Sequence, residues 1–266
     1  MGAGRSNRMI TAGVDCGAKT VKAVILDGDR ILGSSMVVAG GDTLEAVQQA
    51  YQEAIELAGV SREKVERVVA TGCGRLQVGF HQDTVTELSA DARGAVFLFP
   101  NARTVIDVGA EEARALRVDS QGRLVDFVVN DRCAAGAGAF LEAMARALEV
   151  KLEEMGPLAL AATKRVCINA QCTVFAESEV VSLVHANTPK PDMARAVHDA
   201  IAERIASLVR RVGVEPEVVL VGGVGRNVGL VQALSGLLGV EVRVPEQPEL
   251  VGALGAALLG AESATG

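Results

Sequence analysis

The chain has 266 residues, of which 49% are hydrophobic, 22% are charged and 3% are aromatic. A net charge of -7 and the scarcity of aromatic rings exclude a nucleic-acid-binding surface, because such surfaces are basic and often stack bases on aromatic side chains. No apolar run approaches the roughly 20 residues of a membrane-spanning helix, and the first residues do not resemble a secretory leader. We therefore expect a cytoplasmic protein with neither a nucleic-acid nor a membrane partner.

The first hundred residues predict a block of strands followed by helices. Short β-rich apolar segments joined by turn residues indicate strands, and longer segments with helical periodicity indicate helices. In chain order, the pattern predicts three strands, a helix, a fourth strand and a second helix at 9–16, 21–27, 30–38, 43–58, 65–70 and 84–98.

The same order of elements begins again after Pro100. Three strands are predicted at 103–108, 112–119 and 123–129, then three helices at 135–148, 173–186 and 192–212. A strand, a helix, a short strand and a small-residue helix follow at 217–221, 227–238, 240–244 and 249–260. We therefore predict an α/β protein of two similar halves, each opening with three antiparallel strands, with a ligand cleft between the halves.

Each half carries an Asp-x-Gly sequence at the end of its first strand, from Asp15 to Gly17 and from Asp107 to Gly109. Glycine lets a phosphate approach the backbone amides at a hairpin tip, and an adjacent aspartate can hold a hydrated Mg²⁺. The two hairpins together predict a nucleotide triphosphate site. In it, Asp15 and Asp107 hold the metal through water, and the amides near Gly17 and Gly109 bind phosphate.

A P-loop is the alternative interpretation of the first hairpin. Residues 13–20, GVDCGAKT, differ from a Walker A sequence by Ala18 in place of the second glycine. The P-loop mechanism requires a helix directly after the lysine, so that the helical amides hold the phosphates. Residues 21–27 have strand character instead, which favours the hairpin.

A third glycine segment, Gly222-Gly223, ends a buried strand and opens a helix. Glycines at such a junction permit close approach of an adenosine, and Asn227 is placed to cap the helix or to contact the ligand. The segment is not the dinucleotide fingerprint G-x-G-x-x-G, because Val228 stands at the third glycine position. This disfavours a nicotinamide-dependent oxidoreductase.

Two of the five cysteines, Cys133 and Cys172, lie at the starts of predicted helices. Backbone dipoles at a helix N-terminus stabilise a thiolate. From chemistry alone, such a pair is either half of a four-thiolate set, completed by a two-fold dimer around a 4Fe-4S cluster, or two small buried residues. We interpret the other three cysteines, Cys16, Cys73 and Cys167, as structural.

The two Asp-x-Gly sequences and Gly222-Gly223 together resemble the actin, sugar kinase and Hsp70 ATPase superfamily. This resemblance implies two ribonuclease-H-like halves around a nucleotide cleft, the first at 9–99 plus 248–266 and the second at 100–247. The cysteine segments NDRCAAGAGAFLE (130–142) and QCTVFAESEV (171–180) are more specific. They resemble the signatures of activators of 2-hydroxyacyl-CoA dehydratases and of the ATP-binding subunits of benzoyl-CoA reductases.

The second resemblance implies an ATPase coupled to electron transfer. Cys133 and Cys172 of two subunits, identical or homologous, would ligate one 4Fe-4S cluster per dimer. A ferredoxin or flavodoxin would reduce the cluster, and hydrolysis of ATP to ADP, with Mg²⁺ bound, would drive the electron to an iron-sulfur dehydratase or reductase. Gly222, Gly223 and Asn227 would face the adenosine.

The hairpins depart from that family's usual residues. Lys22 matches the family's lysine, but Ala18 and Lys19 replace the usual hydroxyl residues after the first Asp-x-Gly. The second hairpin reads Gly-Ala-Glu-Glu from Gly109, where Gly-Gly-Gln-Asp is usual, and this resembles the benzoyl-CoA reductase branch. Ala110 then lies beside the phosphates, and Glu111 replaces the glutamine expected to orient the attacking water.

Two other functions use the same fold without a cluster. A small-molecule kinase would consume ATP only with a phosphoryl acceptor, and a nucleotide-dependent interaction module would bind ATP without redox activity. The presence of iron separates both from the electron-transfer protein.

Overall fold

The computed structural model describes residues 9–130, 137–168 and 172–263. These residues form two compact units. The first runs to Pro100, takes in Ser120–Arg123 and resumes at Glu249, whereas the second comprises Asn101–Asp119 and Leu124–Pro248. No helix in the described part of the chain combines the length and apolar character that crossing a membrane requires.

The first unit is built on a five-stranded sheet of order β3-β2-β1-β4-β5. Its strands are β1 (Ile10–Cys16), β2 (Thr20–Asp27), β3 (Arg30–Val38), β4 (Arg67–Thr71) and β5 (Asp83–Thr84). The first three are antiparallel, and β4 and β5 continue the sheet in parallel. The helices that pack on this sheet or on each other are α1 (Thr43–Ala58), α2 (Glu87–Leu98) and α8 (Val251–Ser263).

Helix α8 lies close to its neighbours because its residues are small. A Cβ on Gly255 would collide with the carbonyl oxygen of Ala90 in α2, and a Cβ on Gly13 of β1 would collide with the carbonyl oxygen of Ala253. These approaches bring the start of α8 near the end of β1, where Asp15 lies.

The second unit repeats the sheet in the order β10-β9-β6-β7-β8. Its strands are β6 (Thr104–Val108), β7 (Ala113–Val118), β8 (Leu124–Val129), β9 (Val218–Val221) and β10 (Val242–Arg243). Strands β6, β7 and β8 are antiparallel, and β9 and β10 are parallel to β6. The helices of this unit are α3 (Gly138–Ala147), α4 (Leu152–Leu160), α5 (Thr173–His185), α6 (Lys190–Val212) and α7 (Val228–Leu238).

The two blocks of three antiparallel strands are confirmed, and most element boundaries fall within a few residues of the predicted ones. Helix α4 was not predicted, because Gly156 and Pro157 in its middle are residues that usually interrupt a helix. The two-residue strand β5 was also missed. The first residues of the helix predicted over 135–148 lie outside the described residues.

Candidate functional site

In the first unit, Asp15 near the end of β1 forms an ion pair with Lys22 on β2. The two residues are direct partners in the antiparallel register. Lys22 Nζ lies 2.9 Å from Asp15 Oδ2, and the side chains are 13% and 14% exposed. The connecting turn is closed by a hydrogen bond from the Gly17 N–H to the Thr20 carbonyl oxygen at 3.1 Å. The structure thus places three of the predicted site residues together.

The second unit repeats this arrangement with an arginine. Asp107 on β6 is the register partner of Arg114 on β7, and Arg114 Nη1 lies 2.6 Å from Asp107 Oδ2, with the side chains 10% and 9% exposed. Arg114 also binds Glu112 at 2.7 Å. The turn between β6 and β7 is closed by a hydrogen bond from the Gly109 N–H to the Glu112 carbonyl oxygen at 2.9 Å. The sequence analysis missed Arg114, although it follows Asp107 at the same spacing of 7 at which Lys22 follows Asp15.

In each unit, a glycine with positive φ packs closely against the aspartate. Gly72 follows β4 with φ +92, and Gly222 follows β9 with φ +86. A Cβ would lie 2.5 Å from Asp15 Oδ1 if added to Gly72, and 2.8 Å from Asp107 Oδ1 if added to Gly222. Gly222 was among the predicted site residues, whereas the sequence analysis did not single out Gly72.

Replacing Gly72 with alanine is therefore expected to cost more stability than replacing another glycine of positive φ. Gly59→Ala is the matched control, because Gly59 has φ +65 but no atom within 4 Å of an added Cβ. The control introduces only backbone strain and should lower the unfolding free energy by about 1 kcal/mol. Gly72→Ala adds a clash with Asp15 and the Cys16 carbonyl and should cost about 3 kcal/mol in urea denaturation. Equal losses in the two variants would contradict a tight approach at Gly72.

The residues predicted to face the adenosine lie together where β9 ends. Gly223 begins a short turn of 3-10 helix, Gly223–Arg226, and Asn227 caps α7 by accepting a hydrogen bond from the Leu230 N–H at 3.1 Å. The capping oxygen, Asn227 Oδ1, also lies 2.9 Å from Nε2 of His198 on α6. Nδ1 of the same ring lies 2.7 Å from the Ala194 carbonyl oxygen. His198, which the sequence analysis did not single out, therefore helps to fix the position of Asn227.

Burial gives His198 a defined effect on stability. The residue is 1% exposed, and burial lowers its pKa although the contacts with Ala194 and Asn227 oppose this shift. The unfolded chain therefore binds a proton near pH 6.5 that the folded chain does not bind until the pH is lower. We expect the contribution of His198 to the unfolding free energy to be nearly constant above about pH 6.5 and to decrease below it, by at most about 1.4 kcal/mol per pH unit. Urea denaturation between pH 7.5 and 5.5 checks this, and His198→Gln should remove that part of the decrease.

Of the two predicted cluster ligands, Cys172 is described and Cys133 lies outside the described residues. Cys172 is exposed and directly precedes α5, a helix of 13 residues. Val174 and Phe175 in the first turn of α5 are 67% and 68% exposed. No cluster of three or more metal-binding side chains occurs among the described residues. The Cys172 thiol is therefore accessible at the surface of its own chain.

The remaining cysteines differ in burial. Cys16 is buried, as a structural role requires, and burial raises the pKa of its thiol to about 11. Cys73 and Cys167 are exposed, so they do not fill the core.

The hairpin tip of the second unit is bonded to the first turn of α3. The Gly138 N–H donates to the Gly109 carbonyl oxygen at 2.9 Å, and the Ala139 N–H donates to the Ala110 carbonyl oxygen at 2.8 Å. Glu111, next in the hairpin, is exposed. In the sequence, Cys133 precedes Gly138, the first residue of this turn, by five residues.

The model of the BadF/BadG/BcrA/BcrD ATPase family matches residues 12–260. The chain belongs to this family. An activator of 2-hydroxyisocaproyl-CoA dehydratase from Clostridium difficile, solved with bound ADPNP, is 41% identical to this chain, with a TM-score of 0.91. The match covers 97% of this chain and 96% of that one. The crystal structure of component A of the (R)-2-hydroxyglutaryl-CoA dehydratase of Acidaminococcus fermentans gives 40% identity and a TM-score of 0.94, over 97% of this chain and all (100%) of that one.

A relative of the other branch is more distant. A benzoyl-CoA reductase subunit of Thauera aromatica is 34% identical over 264 residues, which are 95% of this chain and 93% of the relative. The α/β class and the ATPase fold implied by the sequence resemblance are confirmed by the family match and by the two solved structures.

Proposed function

We propose that this ATPase is the electron-transfer activator of an iron-sulfur 2-hydroxyacyl-CoA dehydratase in the cytoplasm. The identities of 41% and 40% to dehydratase activators exceed the 34% to a benzoyl-CoA reductase subunit. This whole-chain similarity outweighs the four-residue Gly-Ala-Glu-Glu segment, which favours the reductase branch. A ferredoxin or flavodoxin is the proposed electron donor.

Cys133 and Cys172 are the proposed ligands of a 4Fe-4S cluster that two subunits share. When bound, that cluster would supply a one-electron carrier at the subunit interface. The exposure of Cys172 supports the proposal, because a thiol shared with a second subunit must reach the surface of its own. The exposed apolar side chains of Val174 and Phe175 beside it suit burial against a second copy or a close homologue.

The two hairpins are the proposed binding elements for the phosphates and for Mg²⁺. Lys22 and Arg114 each hold Oδ2 of their aspartate, which fixes the carboxylates of Asp15 and Asp107 for water-mediated magnesium binding. The N–H groups of Gly17 and Gly109 donate across their own turns. We therefore assign the phosphate contacts to the amides that follow them, which include that of Ala110.

Glu111 and the segment after β9 are the remaining proposed residues of the nucleotide site. Glu111 is exposed at the hairpin tip and is the proposed residue for orienting the attacking water. Gly222, Gly223 and Asn227 are assigned to the adenosine. The capping oxygen of Asn227 is already held by Leu230 and His198, so its position is set before a nucleotide binds.

A pair of hydrogen bonds from α3 to the Gly109–Ala110 tip supports coupling between the nucleotide site and the cluster ligand Cys133. A phosphate that draws this tip toward itself also moves the first turn of α3, because two backbone hydrogen bonds join them. That turn begins at Gly138, which follows Cys133 by five residues in the sequence. Loss of the γ-phosphate would thereby change the surroundings of the cluster ligand, and changes in hydrogen bonding and exposure alter a cluster's potential.

Anaerobic purification followed by an activation assay tests the proposal. We expect about four iron and four sulfide per dimer, and activation of 2-hydroxyisocaproyl-CoA dehydratase by the dithionite-reduced protein with MgATP but not with MgADP. A colourless, iron-free protein with full ATPase activity would contradict electron transfer. If such a protein hydrolysed ATP only with an added sugar or other phosphoryl acceptor, it would be a kinase.

A further inference from the structure

Thr71 places a hydroxyl beside Asp15. It is the last residue of β4 and the direct partner of Asp15 in the parallel register between β1 and β4. Partners in a sheet project their side chains from the same face. Thr71 is 1% exposed, and its Oγ1 has no hydrogen-bond partner among the described residues. A buried hydroxyl without a partner is destabilising, so its presence requires a reason.

The second unit shows that the fold does not require this hydroxyl. Val221 ends β9 and is the register partner of Asp107, as Thr71 is of Asp15. Each is followed by a glycine of positive φ, Gly72 or Gly222. Val221 is fully buried, at 0% exposure. The same backbone arrangement therefore accepts valine, the apolar residue of the same shape as threonine.

The surroundings of Asp15, the register partner of Thr71, are polar enough to hold a water molecule. Lys22 binds Asp15 Oδ2 at 2.9 Å. A Cβ added to Gly252 at the start of α8 would lie 3.6 Å from Asp15 Oδ2 and 3.1 Å from Oδ1 of Asp91, so the two carboxylates approach the same point. Asp91 is 7% exposed. A buried water needs two to four polar partners, and this group of side chains provides them.

We propose that the Thr71 hydroxyl binds a water of the magnesium hydration shell on the Asp15 side of the nucleotide site. The inference rests on the proposed assignment of Asp15 to Mg²⁺. Mg²⁺ gives up its waters reluctantly and is commonly held through them. A hydroxyl that shares a sheet face with Asp15, without bonding to it, can fix a water that the carboxylate also holds. Thr71 is then a positioning residue for the metal.

Thr71→Val, which copies Val221, separates this role from a structural one. In the nucleotide-free holoprotein the variant should raise Tm by about 2–4 °C, because a buried unpartnered hydroxyl is removed. In calorimetric titrations its affinity for MgATP should fall about tenfold, the effect of one lost hydrogen bond. Its affinity for ATP in EDTA should stay within about twofold of the wild type. Thr71→Ser should restore most of the MgATP affinity.

Thr11→Val is the matched control. Thr11 is buried on the same face of β1, but its hydroxyl donates to the Ala257 carbonyl oxygen at 3.0 Å. Its replacement should lower Tm and leave the effect of Mg²⁺ on ATP affinity unchanged. Wild-type MgATP affinity in Thr71→Val, or equal losses with and without Mg²⁺, would overturn the role of Thr71. Absence of iron from the wild-type protein would instead overturn electron transfer and leave the nucleotide titrations valid.

Discussion

Cys172→Ala is expected to remove the iron-sulfur cluster and all activation of the dehydratase. A 4Fe-4S cluster held by two cysteines from each of two subunits loses two of its four thiolates when one cysteine is replaced. The iron content should fall from about four per dimer to background. Activation of the dehydratase should fall by more than about 100-fold. Iron and sulfide analysis with the visible absorption spectrum measures the first effect, and the coupled dehydratase assay measures the second.

Cys167→Ala is the control for this change. Cys167 is exposed like Cys172 and lies five residues before it, so the two variants perturb the same stretch of chain and both remove an exposed thiol. We expect Cys167→Ala to keep its iron and its activity. A cluster retained in Cys172→Ala, or lost equally in both variants, would show that Cys172 is not a ligand.

The strands of the two hairpins could be predicted because their information is local. Short β-rich apolar segments joined by turn residues specify β1, β2, β6 and β7 within a few residues. Helix α4 shows the opposite case. Its Pro157 and Gly156 are unfavourable in isolation, but Met155 and Ala159 of the same helix are buried in the core of the second unit, and tertiary packing outweighs the local preference.

Part of the candidate site could not be predicted from local sequence patterns. Thr71 and Gly72 reach Asp15 across a parallel pairing of β1 with β4, and no periodicity within β4 reveals this register. Arg114 could have been found, because the spacing of 7 from aspartate to cation occurs in both hairpins. The two units therefore resemble each other more in structure than in sequence. Each contains an aspartate, a cationic side chain opposite it and a glycine with positive φ.

This repeat also leads to the second large effect, expected for Asp107→Asn. The amide keeps the shape of the side chain but removes the charge that we assign to Mg²⁺, so ATPase turnover should fall about 100-fold or more. The change also leaves Arg114 buried beside a neutral group, which should lower the unfolding free energy by about 3 kcal/mol. Steady-state ATPase assays and urea denaturation measure the two effects separately.

Glu112→Gln separates the charge assigned to Mg²⁺ from the ion pair. Glu112 binds the same arginine at 2.7 Å, but its side chain is 38% exposed, so water replaces the lost contact and stability should fall by less than about 1 kcal/mol. Turnover should stay within about threefold of the wild type. If folded Asp107→Asn kept most of its ATPase activity, or if Glu112→Gln lost as much, the buried carboxylate would not be the one that holds the metal. The expected difference follows from position: Asp107 lies at the end of a strand against Gly222, whereas Glu112 only supports Arg114 from the turn.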